Sequence, residues 1–228
     1  MGDITHLTGT LGLNETNWKH MTYAIALSGG RPQGGFLQSG NPEWFKAAFA
    51  AQNSKHLFKM FQGEEFGMID EDWLPKSWIV EKARPVMPDM FWGSCGMMIV
   101  SGPYHDIVED LDPGLHQMWP IDLRRKRKGS FPGRWYGLNI RGRAEAIQIE
   151  GSDLRFNPGS EQLGLPDRYI LRDSFKVTVA KSALPDAHLW WDHALHTSSP
   201  TILCSDNLRD AVVAAGLKPI PFVKSKEV

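Results

Sequence analysis

Apolar residues recur along this chain in two periods, every second position over short runs and every third or fourth over a few longer ones. Alternation of these periods predicts short strands separated by occasional amphipathic helices. The clearest unit occupies residues 201–223, TILCSDNLRDAVVAAGLKPIPFV. Ile202, Leu203 and Cys204 form an apolar strand-like run, and Ser205 or Asp206 is placed to accept a hydrogen bond from an unpaired N–H at a helix start. Leu208, Ala211, Val212 and Ala215 share one helical face, and Gly216 supplies the left-handed residue that closes a helix. Residues 219–223 then run extended, with two prolines that suit an edge strand.

A fainter copy lies at residues 97–123. Ser101 matches Ser205, Tyr104 matches Leu208, and Ile107 and Val108 match Ala211 and Val212. Spacing alone leaves two accounts open, a true internal repeat and a generic capped helix between strands. Further elements follow the same logic. Residues 18–27 read as a strand with Tyr23, Ile25 and Leu27 on one face, and residues 28–40 as a mobile glycine-rich loop lacking the Gly-Lys-Ser/Thr of a phosphate cradle. Asn41 and Pro42 open a helix striped by Trp44, Phe45, Ala48, Phe49 and Ala51. Residues 57–61 and 78–81 are short apolar runs. Residues 116–123 and 134–140 flank Arg124-Arg125-Lys126-Arg127-Lys128-Gly129, which predicts a hairpin with a charged tip. Residues 145–154 alternate through Ile147, Ile149 and Leu154, and residues 169–184 place Phe175, Val177 and Val179 on one face. The sum is an α+β protein of mixed, mainly antiparallel sheets flanked by a few helices, with the strand–helix–strand unit at the C-terminus. No clear linker appears. A division into an N-terminal α+β region, 1–84, and a C-terminal α+β domain, 85–228, stands beside one continuous domain.

Composition narrows the function classes. The chain has 228 residues, 42% hydrophobic and 22% charged, enough for a real core and too apolar for a disordered chain. A net charge of -1 gives no global attraction to nucleic acid or an anionic membrane. Cys95 and Cys204 lack metal or redox spacing and read as buried thiols of a reducing compartment. With no leader-like or membrane-spanning run, the expectation is a soluble cytoplasmic protein. The 9 Trp supply large anchors for a core or a binding face.

Three stretches carry candidate chemistry. Residues 63–73, GEEFGMIDEDW, interleave Glu64, Glu65, Asp70, Glu71 and Asp72 with Phe66 and Trp73. Such a mix suits recognition of a basic partner, where rings anchor and charges steer; the competing reading is a solvated loop with its apolar residues tucked inward. On a helix, His188, Asp192 and His196 would share one face and could hold a divalent ion, which makes a metal-dependent hydrolase the alternative function. An extended chain breaks that set. No glutamate is placed as a hydrolytic base, and the expectation is no bound metal and no cofactor. The five consecutive cations at 124–128 could meet phosphates, but they lack interleaved rings and read as a solvated hairpin tip, with no nucleic acid and no membrane as partner.

One pattern of residues goes further. His116-Gln117-Met118-Trp119-Pro120-Ile121, then Tyr136-Gly137-Leu138-Asn139-Ile140, then His188-Leu189-Trp190 leading into Leu203-Cys204-Ser205-Asp206-Asn207-Leu208-Arg209-Asp210-Ala211, Ala215-Gly216-Leu217 and Phe222 resembles the bacterial polymorphic-toxin immunity family numbered eleven, formerly a domain of unknown function. The resemblance covers residues 88–223 and is strongest over the last forty. It implies a mixed α and β protein encoded beside a toxin, which binds that toxin and occludes it so that the producing cell or its kin survive. It implies no catalytic residue. With it, Glu64, Glu65, Phe66, Asp70, Glu71, Asp72 and Trp73 become the expected partner-binding residues, and flat aromatic surfaces would equally make a homodimer.

Overall fold

The computed structural model describes residues 21–26, 37–39, 68, 69, 71, 74–80, 87–92, 98–125, 127, 129–159, 167–172, 176–195, 201–217 and 221–228. Along the first half run β1 (Thr22–Ala26), β2 (Leu37–Ser39), β3 (Ser77–Val80), β4 (Met90–Trp92), β5 (Met98–Ser101), helix α1 (Gly102–Leu111), β6 (Gln117–Pro120), β7 (Asp122–Arg125), β8 (Gly129–Ser130) and β9 (Trp135–Asn139). There follow β10 (Arg143–Ala144), β11 (Leu154–Asn157), β12 (Arg168–Leu171), β13 (Thr178–Val179), β14 (Leu189–Asp192), β15 (Thr201–Ser205), helix α2 (Asp206–Ala214), β16 (Phe222–Lys224) and β17 (Lys226–Glu227). The class is α+β, with mixed, mostly antiparallel sheets.

Both strand–helix–strand units form, and they form alike. Ser101 and Ser205 each sit just before a helix in extended backbone, at φ −73°, ψ 162° and φ −73°, ψ 165°. Their hydroxyls accept the N–H of Tyr104 at 3.4 Å and of Leu208 at 3.2 Å. The likeness extends to the sheets. β5 and β6 both pair antiparallel with β9, and β15 and β16 both pair antiparallel with β1. Each unit therefore straddles a third strand, and a fourth lies outside it, β4 against β5 and β14 against β15. The register matches too: Val100 and Pro120 face Tyr136, while Cys204 and Lys224 face Tyr23, an offset of 104 residues on both sides. Equivalent backbone bonds repeat, Ile121 N–H to Trp135 O at 2.8 Å and Ser225 N–H to Thr22 O at 2.9 Å. So do side chains: the His105 ring stacks on Tyr136 with centroids 3.9 Å apart, and the Arg209 guanidinium carbon lies 4.7 Å from the Tyr23 centroid. A generic capped helix would not reproduce all of these, so the repeat hinted at by spacing is a repeat of structure. It is also permuted, since β9 follows its unit in the chain whereas β1 precedes its own.

The two halves share one core. Val100, Tyr104, Val108 and Leu138 from one meet Ile25, Cys204, Leu208 and Val212 from the other. The opposite face of β15 and β1 packs Leu203 and Ala24 with Trp190, Ile147, Val177 and Val179. Ile99 and Trp119 point the other way, with Trp78, Leu123 and Phe131, against the sheet of order β2-β3-β7-β8.

Departures from expectation are local. Residues 37–39, read as loop, form β2 on β3. Residues 145–154 do not make one strand: Ile147 bridges to Val179, then the chain turns through Gly151 at φ +92° and leaves Ile149 exposed. The helix expected after Asn41, the run at 57–61 and Cys95 lie outside the described residues.

Candidate functional site

Of the acidic segment, Met68, Ile69 and Glu71 are described; Glu64, Glu65, Phe66, Asp70, Asp72 and Trp73 lie outside the described residues. What is described is tied to the edge strand β6. Gln117 is buried, and its side-chain amide acts as a substitute strand: its carbonyl accepts the Ile69 N–H at 2.8 Å and its NH₂ donates to the Ile69 carbonyl at 2.7 Å. Asn139 on β9 donates to the same Gln117 oxygen at 3.2 Å. Further on, the indole N–H of Trp119 donates to Pro75 O at 3.0 Å, and the chain continues into β3, paired in parallel with β7. Of the described residues, Ile69 is thus tucked inward while Met68 and Glu71 face solvent.

A second cluster is buried and joins the two halves. Asp112 ends α1, and its carboxylate accepts the backbone N–H of His188 at 2.9 and 3.0 Å and that of Leu189 at 3.1 Å. His116 Nε2 lies 3.0 Å from Asp112 Oδ2. The Arg141 N–H donates to His116 Nδ1 at 3.1 Å, so the proton of the neutral ring is on Nε2 and points at the carboxylate. His188 Nδ1 in turn lies 2.7 Å from Ser205 Oγ, the cap of α2. Burial by itself would raise the Asp112 pKa, but the hydrogen bonds from the His116 side chain and the His188 backbone outweigh it and hold it below the usual carboxylate range. Nothing in the sequence reading brought Asp112 to His116, whose run at 116–123 reads only as a strand. Their four-residue spacing was the available signal.

The metal arrangement needs a helix that does not form. Leu189–Asp192 is a strand, and the Asp192 and His188 side chains are bonded elsewhere. Asp192 Oδ2 accepts the N–H groups of Ala146 and Ile147 at 2.8 and 3.0 Å, and Oδ1 that of Ala194 at 3.0 Å. Burial nevertheless pushes its pKa up against those three bonds. His188 is engaged as above, and His196 lies outside the described residues. No group of three or more metal-type side chains converges among the described residues. Burial raises the Cys204 thiol well above its ordinary value, as suits an inert core residue.

The basic run does sit on a hairpin, β7 against β8, with Arg124 facing Ser130 and Arg125 facing Gly129. Arg124 Nε lies 3.5 Å from Asp122 Oδ2, Arg125 covers the Phe131 ring at 4.4 Å, and Arg127 is exposed.

No helix among the described residues is long and apolar enough to cross a membrane. Residues 38–227 match the family model described as Immunity protein family (Imm11). No curated protein matches the chain.

Proposed function

Since the chain belongs to the Imm11 immunity protein family, we propose that it is a non-enzymatic inhibitor that binds a cognate bacterial toxin domain and neutralises it by occlusion. The observation that carries this reading is the family match, which spans most of the chain. The chemistry of the described residues supports it. Asp112, His116 and Asp192, which are buried, and His188, which is half-buried, are bonded to backbone amides, to one another or to the Ser205 hydroxyl. They hold the frame.

The partner-facing element in this reading is the acidic segment of Glu64, Glu65, Phe66, Asp70, Glu71, Asp72 and Trp73. Its support is the anchoring of Ile69 by Gln117 and the exposure of Glu71. Many toxin domains that attack nucleic acid are basic, and a negative face would steer them into contact and fix their orientation. The test is co-expression with the toxic domain encoded beside this chain, followed by titration of the purified proteins. Growth rescue and a stoichiometric complex are expected. Reversal to lysine of Glu64, Glu65, Glu71 and Asp72 should weaken binding at least tenfold, and unchanged affinity would remove the acidic face from the account. Stoichiometric zinc or manganese in protein purified without a histidine tag would instead favour the hydrolase.

A further inference from the structure

We draw no further inference here: the strongest candidate, the cluster of Arg141, Arg143 and Arg168 beside β10, carries nothing, because its guanidiniums hold carbonyl oxygens and a thioether of the chain itself and nothing in the structure shows what would cover it.

Discussion

A carboxylate at the C-terminal end of a helix faces the negative end of the helix dipole, and Asp112 occupies that position buried. Its tolerance comes from donors: the backbone N–H groups of His188 and Leu189, and His116 Nε2. Because its folded pKa lies below the ordinary value, the contribution is complete at pH values above about 4 and drains away as pH falls through the lowered folded value. Asp112→Asn should therefore cost about 3 kcal/mol at pH 7, and the gap from wild type in urea denaturation should close towards pH 3. Gly137 makes a steric demand of a different kind. A Cβ there would run into the Trp119 indole on the neighbouring strand. Gly137→Ala should destabilise by about 1–3 kcal/mol, with a near-ultraviolet circular dichroism change reporting the displaced ring. A glycine inside a strand pattern does signal close approach, so that demand was legible in the sequence. Asp112 was not: its donors His188 and Leu189 lie 76 and 77 residues away, and no local pattern records such a distance.

Helix starts were legible for the opposite reason, since a cap and the amide it serves are three residues apart. The two caps nevertheless differ in load. Ser101 serves Tyr104, while Ser205 serves Leu208 and also meets His188 Nδ1. Ser101→Ala should cost about 1 kcal/mol and Ser205→Ala about 2 kcal/mol, as read from denaturation midpoints at constant slope. The strand at 145–154 shows the limit of periodicity. Alternation specifies a face but not where the chain turns, and here the turn runs from Ile149 through Gly151 at φ +92°, which leaves Ile149 exposed. The metal arrangement was lost the same way, because helical spacing has no meaning on β14.

For the molecule as a whole, the pairing of β1 between β15 and β16 is decisive. Tyr23 and Ile25 complete the shared core from the far end of the chain, so we propose that residues 85–228 do not fold as a separate domain. A fragment beginning at residue 85 should show neither the native circular dichroism spectrum nor a cooperative unfolding transition, and adding residues 1–84 in trans should restore both. A native-like, cooperatively unfolding 85–228 would show two domains after all. The α+β class and both units could be read from hydrophobic period and punctuation. The threading of β1 could not, because a strand's apolar face says that it has a partner and not which one.

That threading bears on how the molecule is completed during synthesis. Loop closure across nearly two hundred residues must come late in assembly. A ribosome part-way through the message therefore holds β1 without either of its flanking strands. That strand is flanked on both sides only once β15 and β16 have been synthesised and have closed around it.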